Sequence, residues 1–136
     1  MSDFYKYFKE NMDSLGLVTP ENLFGSSQSA VSTASTLLAL IDRFGKKVTV
    51  AEMVGAGTGV EKLAVLGAMN ASYYVGAVIG SIAIATGRTL AGGASLSDVL
   101  LSAQMNHLHR PWLGTVMMRH PEIYSRRKVA QVRRVK

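Results

Sequence analysis

Between Lys62 and Arg88 the chain runs for 25 residues without a charge, LAVLGAMNASYYVGAVIGSIAIATG. A helix of roughly 20 such residues already crosses ~30 Å of hydrocarbon at 1.5 Å per residue. In water the same helix has to be enclosed by the rest of the molecule. Both outcomes make this run the axis around which everything else is arranged.

Helix start and stop signals surround it. Thr58-x-x-Glu61 has capping-box spacing, so the run reads as one helix over 58–87, closed by Gly87 with Arg88 near its negative end. Thr49-x-x-Glu52 and Ser95-x-x-Asp98 match the same box, and the helix from Ser95 has to end or bend before Pro111. Ser2 can cap a first helix in which Phe4, Tyr5, Phe8, Met12 and Leu15 share a face, ending at Gly16. Thr19-Pro20-Glu21 opens a helix that runs to Phe44, with Gly45 as its stop, and Pro121-Glu122 opens the last one. Two-residue alternation is scarce, VTV at 48–50 being too short to carry weight. The predicted fold is all-α: a compact bundle of about five to six helices around a long, apolar, small-residue-rich helix over 58–87. Residues 1–120 form the helical domain and 121–136 a basic C-terminal helix or tail.

Within 58–87 the small residues are spaced. Ala64, Ala68, Ser72, Gly76 and Gly80 recur every four positions and make one nearly straight seam, and Gly55 and Gly59 add a four-spaced pair upstream. Such a seam lets another helix backbone approach closely, which is how helices associate in lipid. It equally suits the buried centre of a soluble bundle, because glycine inside a helix costs about 0.5–1 kcal/mol relative to alanine unless something packs there. In water the seam is expected to lie under the 22–44 helix and the helix from Ser95. Residues 22–41 are a second uncharged stretch, polar in its first half and LLALI at its end. Gly25, Ser29 and Thr33 form a row, with Gln28, Ser32 and Ser35 beside it as possible lumen-lining groups. A serine-rich soluble helix packed through small side chains fits the same residues.

Six of the fifteen basic residues, Arg126, Arg127, Lys128, Arg133, Arg134 and Lys136, fall in the last eleven positions of a chain whose net charge is +6. They suit anionic lipid, an acidic partner or simple solubility. Nucleic acid is disfavoured, since no aromatic is interleaved among them. The N-terminal MSDFYKYFKENMD lacks the basic and apolar regions of a signal peptide.

Residue patterns that carry chemistry are few. With no cysteine, thiolate and disulfide chemistry are excluded. Gly55-Ala56-Gly57-Thr58-Gly59-Val60 carries valine where a dinucleotide loop needs glycine, and it follows a helix cap rather than a strand. His107 and His109 point to different sides of a helix, and Pro111 separates them from His120, so no metal ligand set forms. No nucleophile has a placed base and orienting acid. Neither an enzyme nor a cofactor is expected.

The segment GAGTGVEKLAVLGAMNASYYVGAVIGSIAIATG (55–87), with ATGRTLAGGASLSDVL (85–100) and HRPWLG (109–114), resembles the pore-forming antibacterial toxins of type VI secretion systems. Specifically, it resembles the small glycine-zipper effectors carried inside the hexameric Hcp tube. The resemblance covers roughly residues 1–115. It implies loading into Hcp, a membrane immunity protein in the producing cell, and export without a signal peptide. It further implies insertion into the target cell's inner membrane, self-association there and dissipation of ion gradients. Two alternatives stay open: a soluble helical adaptor with 58–87 as its core, and a small resident membrane subunit of a secretion channel.

Overall fold

Thr49 and Ser95 start helices as their spacing dictates. The Thr49 hydroxyl accepts from the Glu52 amide at 3.2 Å while the Glu52 carboxylate accepts from the Thr49 amide at 2.8 Å. Ser95 and Asp98 make the same reciprocal pair at 3.1 and 3.0 Å. Each box satisfies two otherwise orphaned donors without help from the rest of the chain. The structure is a computed structural model that describes residues 3–55, 61–87 and 95–125. Among these residues it is all-helical: α1 (Asp3–Ser14), α2 (Glu21–Phe24), α3 (Ser27–Phe44), α4 (Val50–Val54), α5 (Ala71–Gly87), α6 (Leu96–Met105) and α7 (Leu113–Arg119). Two 3-10 turns complete it, Glu61–Leu66 and Pro121–Ile123.

α5 is the centre. Helices α1, α3, α6 and α7 all pack on it, and fourteen of its seventeen residues are buried. Its Val75, Val78, Ile79, Ile82 and Ile84 are each at most 1% exposed, and each such side chain contributes about 1.5–3 kcal/mol on leaving water. α1 turns Tyr5, Phe8 and Met12 inward, as its spacing predicts, and Gly16 follows with φ +73°. A run of rings ties the N-terminal helices to the centre: Phe4 to Phe8 at 5.5 Å between centroids, Phe8 to Phe24 at 5.1 Å, Phe24 to Tyr74 at 6.5 Å. The α1–α2 connection is held from the core, with Tyr5 Oη donating to the Thr19 carbonyl and Tyr74 Oη to that of Val18, both at 2.8 Å.

Two predicted helices are divided. The helix expected from Thr19 to Phe44 ends at Phe24 and restarts at Ser27. Ser26 adopts an extended conformation and its hydroxyl accepts from the Ser29 amide at 3.1 Å. A serine placed to cap competes with helix continuation, and here the cap prevails. Pro20, not Thr19, holds the N-cap position of α2, and no side chain caps it.

The helix expected over 58–87 does not form as one piece. Glu61–Leu66 is 3-10, Gly67 turns back with φ +55°, and α5 starts only at Ala71. Backbone groups a continuous helix would have used, the Ala71 amide and the Met69 carbonyl, are taken by another segment. Ala71 donates to the Val48 carbonyl and Val50 to that of Met69, both at 2.9 Å, forming an isolated antiparallel bridge between Thr49 and Asn70. Asn70 then acts as the start signal of α5, its Oδ1 accepting from the Tyr73 amide at 3.1 Å.

Candidate functional site

Dividing the predicted helix also divides its seam. Ala64 lies in the 3-10 turn and Ala68 in the turn that follows, both exposed, so neither lines up with the rest. Gly55 is the C-cap of α4. Gly59 lies outside the described residues, as do Arg126, Arg127, Lys128, Arg133, Arg134 and Lys136. What remains on α5 is Ser72, Gly76 and Gly80, all buried. A four-residue period read from sequence needs an unbroken helix to become a stripe, and Gly67 removes that condition.

The remaining seam does what closely spaced glycines are suited to, against a different partner. A Cβ on Gly76 would stand 2.9 Å from Val116 Cγ1, and one on Gly80 would stand 2.5 Å from Ile123 Cγ2. The seam therefore faces α7 and the Pro121–Ile123 turn, not the α3 and α6 helices expected to cover it. Beside it lies a buried polar knot. Asn11, 2% exposed, donates through Nδ2 to Ser81 Oγ and to the Ile123 carbonyl, both at 2.8 Å. Ser81 is fully buried. This contact fastens the middle of α5 to α1 on one side and to the C-terminal turn on the other. No sequence signal singled out Asn11.

The polar face of α3 is present and turned outward. Gln28, Ser32 and Ser35 share one exposed stripe, while Ala30, Ala34, Leu37, Leu38 and Ile41 point to the core. The row assigned to Gly25, Ser29 and Thr33 is broken, since Gly25 precedes α3. Thr33 turns inward and donates to the Leu23 carbonyl at 2.7 Å, which stitches α3 to α2.

The histidines sit where α6, α7 and the C-terminal turn connect. His107 has φ +60° in the connection after α6. His120 Nδ1 lies 3.2 Å from Glu122 Oε2, and its ring meets Tyr73 edge-on at 4.8 Å between centroids. Burial raises the Tyr73 phenol above its ordinary range, and the Glu122 carboxylate adds to the shift. Among the described residues no three metal-ligating side chains gather.

A groove of about 640 Å³ opens where three segments meet. Lys46 and Lys47 come from the α3–α4 turn, Tyr73 from the first turn of α5, and Trp112, Arg119 and His120 from α7 and its ends. Its wall is fixed by backbone rather than by the cations themselves: the Lys46 carbonyl accepts from Ser72 Oγ at 2.7 Å, next to the Val48–Ala71 hydrogen bond. Sequence reading missed this site because its residues are separated by more than twenty positions at each step. The lone tryptophan, at position 112, is the signal that was there to use. No protein family, curated protein or solved structure matches the chain.

Proposed function

We propose that this chain is a membrane-permeabilising protein that carries its inserting helix enclosed while in water. The supporting observation is α5, uncharged throughout, apolar on every side, and buried over fourteen of its seventeen residues. A helix apolar all round belongs in the interior of a protein or in lipid. No helix among the described residues is long and apolar enough to cross a membrane. At 1.5 Å per residue α5 spans about 26 Å, short of the ~30 Å of a bilayer core. Insertion in this reading recruits the uncharged residues 63–70 onto its N-terminus, and the Gly67 turn has to unwind. The exposed stripe of Gln28, Ser32 and Ser35 then supplies a polar surface beside it, since a spanning helix cannot present such groups to lipid. The basic residues after Ser125 hold anionic headgroups.

The finer reading is that of an antibacterial pore-forming toxin: type VI delivery inside Hcp, a membrane immunity protein, self-association in the target inner membrane and no catalytic activity. The sequence resemblance alone supports these parts of the proposal.

The enclosure makes the proposal testable. In a cysteine-free chain, Gly76→Cys with Val116→Cys places two Cβ atoms about 3.9 Å apart, within disulfide range. The bridge ties α5 to α7. The reduced protein is expected to release dye from phosphatidylglycerol vesicles as the parent does, and the oxidised protein is expected to be silent until reductant is added. Leakage at equal rates in both forms shows that α5 need not leave its casing. Absence of leakage from the parent over a range of pH and lipid composition overturns permeabilisation and leaves the adaptor reading.

A further inference from the structure

The groove between the α3–α4 turn, the start of α5 and α7 carries a charge pattern that the insertion of α5 does not use. Three cations line it, Lys46, Lys47 and Arg119, and no carboxylate does. Among the described residues none of the three takes part in an ion pair, whereas Lys9 is paired with Asp13 and Arg110 with Asp42. The acid beside the groove, Glu122, is engaged with His120. The polar groups at the base have partners already: Ser72 donates to the Lys46 carbonyl, and Asn70 Oδ1 accepts from Tyr73. The cationic donors in the groove are therefore without a carboxylate partner among the described residues. Its other walls are the half-buried rings of Tyr73 and Trp112. Unpaired cations beside aromatic faces suit an anion attached to an apolar body, and the volume of about 640 Å³ is in the range of small-ligand sites.

From this geometry we infer that the groove binds a phosphate group carried on an apolar or aromatic body, with Arg119, Lys46 and Lys47 on the phosphate oxygens and Trp112 and Tyr73 against the body. Phosphate fits better than a carboxylate because three separate cations line the groove. A tetrahedral anion with up to two charges offers oxygens to each of them, whereas a planar carboxylate offers two. Two sources share this chemistry, a phospholipid headgroup and a soluble phosphate ester. The assignment is independent of whether α5 inserts.

Trp112 is the sole tryptophan of the chain and stands in the groove, so its fluorescence reports occupancy directly. The full-length protein is titrated with dihexanoyl phosphatidylglycerol below its micelle concentration, with phosphatidylglycerol vesicles, with phenyl phosphate and with octyl glucoside. A saturable blue shift is expected with a phosphate-bearing probe and none with the uncharged detergent. Response to both lipid forms assigns a headgroup site, and response to phenyl phosphate alone assigns a soluble ester. Lys46→Glu/Arg119→Glu should weaken binding at least tenfold, and Lys46→Gln/Lys47→Gln/Arg119→Gln should weaken it less. Both changes lie on exposed side chains, so circular dichroism should be unchanged. Arg133→Gln/Arg134→Gln/Lys136→Gln should leave the shift in place. The inference is overturned by no saturable shift with any phosphate probe. It is equally overturned by an equal response to octyl glucoside, or by a response that the tail variant removes and the groove variants keep.

Discussion

Helices α3 and α5 come from the two long uncharged stretches of the chain, and they are nearly the same length, yet they sit in the fold in opposite ways. α3 buries one face, Ala30, Thr33, Ala34, Leu37, Leu38, Leu40 and Ile41, and gives Gln28, Ser32 and Ser35 to water. α5 has no outward face before Thr86. Lack of charge is therefore a poor guide to burial. The distribution of polar atoms around the helix decides it: hydroxyls and an amide recur on one side of α3, whereas the polar groups α5 carries are few and are satisfied inside the protein. Ser72 and Tyr74 donate to backbone carbonyls, and Ser81 accepts from Asn11.

A charge placed on each helix gives the largest contrast. Ile79→Lys puts an ammonium where the native side chain is 1% exposed. The domain is expected to lose about 4 kcal/mol or more, enough to unfold it, as seen by far-UV circular dichroism and urea titration. Ser32→Lys on the outer stripe of α3 is expected to stay within about 0.5 kcal/mol of the parent. Equal losses at the two sites would mean that the α3 stripe is covered.

Hydrogen bonding separates the helices by less. Asn11→Ala removes both donors of the knot and leaves the Ile123 carbonyl buried and unmatched, a loss of about 1–3 kcal/mol. On α3, Thr33→Val removes one hydrogen bond at a position 8% exposed and leaves the Leu23 carbonyl wanting a partner, with an expected loss of about 1 kcal/mol. Urea midpoints that reverse this order would show that the knot does not fasten α5.

The glycines give a contrast of sign. Gly80→Ala brings its methyl group against Ile123, itself fully buried. The strain, about 1–3 kcal/mol, outweighs the ~1 kcal/mol that alanine contributes inside a helix, so the thermal midpoint falls. Gly114→Ala in α7 meets nothing within 4 Å, and its midpoint should rise slightly.

The smallest effect is one of pH. The Asp98 carboxyl is held below its ordinary range, chiefly by the hydrogen bond from the Ser95 amide. A carboxyl lowered by folding adds stability above its unfolded pKa and loses it as pH falls through the folded value. Exchange protection at the start of α6 should therefore weaken on acidification below about pH 4, and Asp98→Asn should flatten that dependence. An unchanged acid profile in Asp98→Asn would exclude this carboxyl as the cause.

What the sequence made legible follows from how local each signal is. The Thr49 and Ser95 boxes are complete within four residues, and both formed. The breaks at Ser26 and Gly67 also had local signals, a serine positioned to cap and a glycine three residues before Asn70. The long absence of charge around them masks those signals. The seam residues Ala64 and Ala68 were misassigned for the same reason, since their alignment presupposed a helix that the Val48–Ala71 hydrogen bond prevents. The groove was legible only in its lone tryptophan. Lys47 and Trp112 become neighbours only through α5, and nothing in either segment encodes the other.

The Asn11 knot has a consequence for how the molecule comes into being. Its two hydrogen bonds join residues 70 and 112 positions apart. On a ribosome adding about 5–20 residues each second, the first helix waits roughly 6–20 seconds before the carbonyl of Ile123 exists to receive it. Until then Asn11 lacks one of its two partners, and α5 lacks the C-terminal turn against which Gly80 rests. The nascent chain thus holds its most apolar segment incompletely covered from the completion of α5 at Gly87 until Ile123 is added. That interval is when a chaperone, a carrier or a membrane has its best access to it. Chains stalled before residue 123 should remain open to protease at α5, and chains released a few residues later should resist it.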